Sequence, residues 1–288
     1  MTSPSPAQLP ADPPTCYRHP DRQTYVHCTR CERPICGDCM RSAAVGHQCV
    51  ECVQAGARTI RPERTRFGGR ERAGAPVITF ALIAVNVLAF VAEMAVANAQ
   101  RDFALWPPAV AFYDEYYRLV TSAFLHYGPT HLLLNMWALY VVGPPLEMWL
   151  GRLRFGALYA VSGLGGSVLV YLLSPLNTAT AGASGAVFGL FAATFVVAKR
   201  LTLDVRWVIA VIVFNLVFTF VVPLVSSQQI SWQGHVGGLV AGGLLSAAYV
   251  YAPRQRRDLI QASATVALLV LFAVLIWWRT ASLLAQFG

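Results

Sequence analysis

From Val77 onward, apolar residues come in long blocks, with polar positions gathered at the breaks between them. A helix needs about 20 mostly apolar residues to cross a bilayer. Matching blocks to that length predicts seven transmembrane helices, at about 77–97, 130–149, 153–173, 183–199, 205–225, 232–252 and 260–283. The second block contains Gly143-Pro144-Pro145, which predicts a kink. Residues 101–128, between the first two blocks, are rich in aromatic side chains, which favour a membrane interface. Before Val77 the pattern changes. Residues 1–14 are Pro-rich with no apolar core, so they are expected to be disordered, and no cleavable signal peptide is expected. All seven cysteines fall within residues 15–53, and residues 54–76 read as a basic, Gly-containing linker.

Composition strengthens the membrane reading. The chain is 56% hydrophobic and 12% charged, about half the ~25% charge of soluble domains. A net charge of +8 raises the question of nucleic acid. However, six arginines fall between Arg58 and Arg72, just before the first apolar block, where a basic cluster orients a membrane protein. That rule puts the N-terminus in the cytosol. Alternation then puts Arg152 and Arg154, Lys199 and Arg200, and Arg254, Arg256 and Arg257 on the same side, so the basic clusters agree; the exception, Arg279, sits alone near the external C-terminal end. Nucleic acid is not expected as a partner.

With that topology, three sets of polar residues share the external leaflet: Ser184 opening the fourth helix, His235 in the first turn of the sixth, and His131 with Asn135 one turn apart in the second. Polar side chains within a bilayer are costly and face a bundle interior or a water-filled cavity. A serine becomes a nucleophile when a base, most often histidine, takes its proton. The two must approach to about 3 Å. Gly185 and Gly189 form one GxxxG, and Gly234, Gly238 and Gly242 form two more, spacings that let membrane helices pack closely. His131, Asn135 and the Ser184 backbone N–H would supply oxyanion donors. Between Ser184 and His235 the one acidic residue is Asp204, on the cytosolic side, so a dyad is expected rather than a triad. Each feature also has a plain reading: a packing GxxxG, a serine bonded to its own helix, an interfacial histidine.

The motifs GASG at 182–185 with Gly189, GHVGGLVAGG at 234–243, HLLLNMW at 131–137 and YYRLVTSAFLH at 116–126 together resemble the rhomboid family of intramembrane serine proteases, over about residues 77–252. The resemblance implies Ser184 as nucleophile, His235 as base, and His131 and Asn135 as oxyanion donors. Tyr117-Arg118 stands where the family often has Trp-Arg. Phe188 matches an aromatic that packs on the catalytic histidine, although a core aromatic would look the same. Glu147 resembles a structural acid of the family or is an interfacial charge. His126 fits a family position near the site or is structural.

The cysteines form pairs: Cys16 with His19, Cys28 with Cys31, Cys36 with Cys39, Cys49 with Cys52. Eight ligands suffice for two tetrahedral zinc ions. Four residues between Cys31 and Cys36 are too few to fold adjacent pairs onto one ion. The expected arrangement is therefore interleaved: Cys16, His19, Cys36 and Cys39 on one zinc, Cys28, Cys31, Cys49 and Cys52 on the other. The pattern resembles a B-box-like cross-braced zinc finger. His47 is an alternative to Cys49, and His27 is spare. Disulfides are the competing reading, disfavoured by the odd cysteine count and a reducing cytosol.

The expected fold is an all-α polytopic membrane protein. Residues 1–14 are disordered, 15–53 form a cytosolic zinc-binding module and 54–76 a linker. Residues 77–284 form a six-helix rhomboid-like bundle plus a seventh C-terminal transmembrane helix. The expected function is endopeptidase cleavage of transmembrane-segment substrates near the external face, with no cofactor for catalysis. The expected partners are transmembrane protein substrates, membrane lipid and a cytosolic protein on the zinc module; the expected location is a bacterial plasma membrane. A silent client-helix binder and a transporter are the alternatives. Intact Ser184 and His235 speak against the first, and the lack of inverted repeats against the second.

Overall fold

The computed structural model describes residues 13–59, 64–70, 74–225 (side chains to 221) and 230–287. Most of the segment expected to be disordered, residues 1–12, lies outside them, as do Arg61 and Arg72 of the basic cluster. The chain divides into two units, Met1–Pro62 and Glu63–Gly288.

In the first unit each ligand pair sits on a tight turn. The Cys16–His19 turn closes with His19 N–H donating to the Cys16 carbonyl, and a 3-10 turn at Gly37–Cys39 closes Cys36 onto Cys39. Strand β1 (Met40–Ser42) pairs antiparallel with β2 (His47–Cys49), Met40 opposite Cys49. Helix α1 (Val50–Thr59) begins immediately after β2 and carries Cys52 in its first turn. It runs across the 53/54 boundary drawn from composition: the last cysteine marks where metal chemistry ends, not where the helix does.

Among its described residues, the second unit has helices as its regular elements. It contains α2 (Val77–Ala95), three short helices α3 (Ala99–Phe103), α4 (Pro107–Phe112) and α5 (Arg118–Thr121), then α6 (Pro129–Leu150), α7 (Arg152–Leu173), α8 (Ser184–Arg200), α9 (Arg206–Val225), α10 (Trp232–Tyr251) and α11 (Arg257–Phe287). The long helices α2 and α6–α11 correspond to the seven apolar blocks. Three of them, α2, α7 and α11, are long and apolar enough to cross a membrane on length and hydropathy alone. The rest are shorter or carry the polar residues of the interior. Helices α2 and α11 bury few side chains, whereas α7 buries more than half, so the outer helices present apolar surface to lipid.

Two details bear on the sequence pattern. Helix α6 continues through Pro144 and Pro145 to Leu150 as one element. Membrane helices tolerate proline where neighbours re-satisfy the backbone, and Gly143 packs so closely on Thr79 of α2 that an added Cβ would lie 2.6 Å from its methyl. Part of the linker also belongs to the bundle. Thr65 and Phe67 are buried, Phe67 N–H reaches the Trp149 carbonyl at 3.4 Å, and Gln261 Nε2 donates to the carbonyls of Phe67 (3.1 Å) and Tyr249 (2.7 Å).

That end of the bundle gathers its charges. Asp258 pairs with Arg64 at 2.9 Å and Arg154 at 2.6 Å. Glu147 is buried, accepting from Ile78 N (3.0 Å), Thr79 N (2.8 Å) and Thr79 Oγ1 (2.9 Å). A carboxylate of α6 thereby caps the otherwise uncapped N-terminus of α2. Of its two readings, the structural one describes its surroundings. Arg200 lies over the Tyr251 ring at the ends of α8 and α10.

Candidate active site and metal centres

The opposite end of α8 begins at Ser184, whose backbone N–H, in the first turn, has no intrahelical acceptor. The chain enters this helix through Gly182 at φ +140°, a conformation that side chains resist. Gly182 N–H donates to Ser122 O at 2.8 Å, and Leu105 and Thr180 exchange backbone bonds, so the α3–α5 region holds the approach to Ser184. Arg118 anchors that region. It is buried, bonds Glu115 at 2.5 Å, and donates to the carbonyls of Arg101 and Ala104 at 2.8 Å each. Tyr117 OH donates to the Asp102 carbonyl.

His235, buried one turn into α10, brings Nε2 to 3.0 Å from Ser184 Oγ. Phe188 stacks on its ring, centroids 4.1 Å apart and planes at 11°. Side-chain loss along the α8–α10 seam permits this approach. A Cβ on Gly238 would collide with the Gly185 carbonyl, one on Gly242 with the Gly189 backbone, and one on Gly185 would lie 3.1 Å from Gly234 O. Helix α7 joins the seam through Gly166, where a Cβ would sit 2.7 Å from Gly234 O. Gly165 and Gly166, absent from the spacing argument, are as constrained as the glycines within it.

His131 lies on the other side of Gly182. A Cβ there would meet its Cε1 at 2.7 Å and Nε2 at 3.1 Å, with Ser184 Oγ 3.6 Å away. His131 Nδ1 accepts from Tyr127 N–H at 3.4 Å, and the Tyr127 ring stacks on it. A nitrogen that accepts carries no proton, so a neutral His131 is protonated at Nε2, the nitrogen facing Gly182. Asn135 is buried and donates one amide hydrogen to the His131 carbonyl at 2.8 Å, leaving the second without a partner among the described residues. His126, fully buried, packs edge-on against Phe90 and His131 and does not reach Ser184 by hydrogen bond. The neighbour of His235 that the spacing argument missed is Thr219 on α9, whose Oγ1 lies 2.8 Å from His235 Nδ1.

In the first unit, two sets of ligand atoms converge, each within 4.8 Å: Cys16, His19, Cys36 and Cys39; and Cys28, Cys31, Cys49 and Cys52. His19 Nδ1 is 3.9, 3.3 and 3.4 Å from the Cys16, Cys36 and Cys39 sulfurs, and the sulfurs of Cys31 and Cys49 are 3.8 Å apart. Ligands about 2.0–2.3 Å from a tetrahedral zinc stand about 3.5–3.8 Å from one another, so the donor set and its size fit that ion. Further hydrogen bonds surround the thiolates: Arg33 Nε to Cys31, Cys49 N–H to Cys28, Cys52 N–H to Cys49. Burial pushes the Cys16 and Cys28 thiols up, yet backbone N–H donors bring each down to about 6, whereas burial and the neighbouring Cys16 and Cys36 push Cys39 up to about 11, and Cys49 and burial push Cys52 up to about 12. Cys49 occupies the cluster. His47 and His27 stand outside it, His27 Nδ1 3.0 Å from the Tyr25 carbonyl oxygen.

A half-buried serine hydroxyl against a buried imidazole, within a polytopic helical bundle, is the constellation of an intramembrane hydrolase. A sequence model of the rhomboid domain matches residues 113–252. YdcA of Bacillus subtilis (strain 168), named for the rhomboid proteases, is 35% identical over 182 residues, 59% of this chain and 87% of YdcA. Rhomboid protease GluP of the same organism is 32% identical, over 63% of this chain but 36% of its own length. Rhomboid protease AarA of Providencia stuartii is 25% identical, over 70% and 82%. The chain belongs to the rhomboid family and is an intramembrane serine protease.

Proposed function

We propose that the protein cleaves transmembrane segments of protein substrates near the external membrane face through a Ser184–His235 dyad. The carrying observation is the 3.0 Å approach of His235 Nε2 to Ser184 Oγ beneath the stacked Phe188 ring. As Ser184 Oγ bonds the scissile carbonyl carbon, its proton passes to Nε2, and the imidazolium returns it to the departing amine; water then releases the acyl group by the same exchange. Negative charge on the carbonyl oxygen would be met by the Ser184 backbone N–H, His131 Nε2–H and the second Asn135 amide hydrogen. The basic ends of the bundle, with Arg154, Arg200 and Arg257, would face the cytosol together with the N-terminus, in a bacterial plasma membrane. Residues 13–59 would hold two zinc ions in the interleaved arrangement, structural rather than catalytic, and offer a surface to a cytosolic protein.

Reconstituted protein with a generic transmembrane substrate tests the dyad. Ser184→Ala and His235→Ala should each abolish cleavage while the protein stays folded. A serine-reactive fluorophosphonate should label Ser184 only when His235 is present. Normal cleavage by either variant would sink the assignment.

A further inference from the structure

Helix α9 faces outward along nearly its whole described length. Val213, Phe214, Val217, Phe218, Phe220 and Val221 are exposed, and within 206–221 only Val208 and Thr219 are buried. A buried hydroxyl on such a helix calls for a reason, and its partners supply one. Thr219 Oγ1 donates to the Asn215 carbonyl one turn earlier at 2.7 Å and lies 2.8 Å from His235 Nδ1.

A hydroxyl has one proton and two lone pairs. With its proton committed to Asn215, an ordinary back-bond within a helix, Thr219 presents a lone pair to Nδ1. Only an N–H satisfies that arrangement. His235 must then be protonated at Nδ1, which leaves the Nε2 lone pair facing the Ser184 hydroxyl. The other tautomer would require Thr219 to withdraw its proton from the Asn215 carbonyl and turn it to Nδ1, leaving that carbonyl without the 2.7 Å back-bond. It would also turn an N–H toward Ser184, and that nitrogen could not accept the serine proton. We infer that Thr219 is a positioning residue that fixes the base-competent tautomer of His235 and bonds the imidazolium formed during acylation. It is a neutral counterpart of the carboxylate in a serine-protease triad, supplied by a different helix from either member of the dyad. The expectation of two groups acting alone is extended by a third, though not by an acid. This inference rests on the dyad reading.

The test compares Thr219→Val, which keeps the shape and removes the hydroxyl, with Thr219→Ser, which keeps the hydroxyl. Both are measured as full-length reconstituted protein beside Ser184→Ala and His235→Ala. Losing a hydrogen bond to a charged imidazolium should lower kcat of Thr219→Val about 10- to 100-fold with KM nearly unchanged. Thr219→Ser should stay within about threefold of the parent. Nitrogen-15 spectra of histidine-labelled protein, with the His235 signal assigned by its loss in His235→Ala, should show protonated Nδ1 in the parent and Thr219→Ser, and a tautomer mixture in Thr219→Val. Parental kcat in Thr219→Val, equal damage from Val and Ser, or an unchanged tautomer in Thr219→Val would each overturn the inference. Cleavage by Ser184→Ala or His235→Ala would instead remove the dyad itself.

Discussion

The two units bring polar groups together by opposite means. In residues 13–59 the buried core is almost entirely ligand: Cys16, Cys28, Cys36, Cys39 and Cys49, with Ile35 as the fully buried hydrocarbon. Remove a central ion from such a cluster, and thiolates would stand against thiolates with little apolar contact to hold them. In the bundle, Ser184 and His235 meet through missing side chains, the glycines of α7, α8 and α10, inside an extensive apolar core. With zinc bound as proposed, one unit depends on an added bond and the other on removed bulk, so they should fail under different insults.

The largest separation should come from metal removal. Zinc binding to small structural sites is worth about 10–16 kcal/mol. A strong chelator should therefore unfold residues 13–59, seen as lost amide-exchange protection, while protection in α7, α8 and α10 persists. Metal analysis of the full chain should give about two zinc equivalents. One equivalent would break the cross-braced arrangement.

The converse insult is bulk in the seam. Gly238→Val should leave zinc content unchanged and reduce cleavage by at least about 100-fold, since a displacement of about 1 Å at a reacting pair costs that much. Full activity would show that the seam does not set the Ser184–His235 distance. Asn135→Ala removes one of the proposed oxyanion donors and should lower kcat by on the order of 10²-fold with a smaller change in KM; an unchanged kcat would make Asn135 a structural residue. The smallest effect should come from Glu147→Gln. It weakens the cap on α2 and should lower bundle stability by about 1–3 kcal/mol without altering zinc content; unfolding midpoints in mild detergent would read it.

How much of this was legible in the sequence follows the same division. Cysteine and histidine pairs at fixed short spacing fold onto one turn, so the eight residues and their interleaved convergence into two clusters could be written from the sequence. Ser184, His235, His131 and Asn135 stand out because polar residues are rare in apolar blocks. Thr219 did not stand out: a lone threonine in a membrane helix has a ready partner in its own backbone, and only the packing of α9 against α10 shows that it has a second. Gly165 and Gly166 were missed because adjacent glycines match no i, i+4 repeat, although their backbones approach α10 as closely. The Pro144-Pro145 pair marked a kink in the sequence, and the helix runs through it as one element. The linker read correctly as basic, yet Phe67 within it, a single apolar residue among arginines, docks on the bundle.

The glycine seam also bears on conformational entropy. Docking two ordinary helices immobilises the side chains between them, at up to about 2 kcal/mol for each long one. Glycine has no rotamers to lose, so wherever α8 and α10 touch through glycine backbone the association freezes nothing beyond main chain already fixed in helix. The torsions still free to move Ser184 Oγ relative to His235 Nε2 are those of the two side chains themselves. Phe188 and Thr219 restrain the imidazole, leaving the serine χ1 as the principal loose joint. Most of the ordering that the site requires is thus complete once the bundle has assembled, before any substrate arrives.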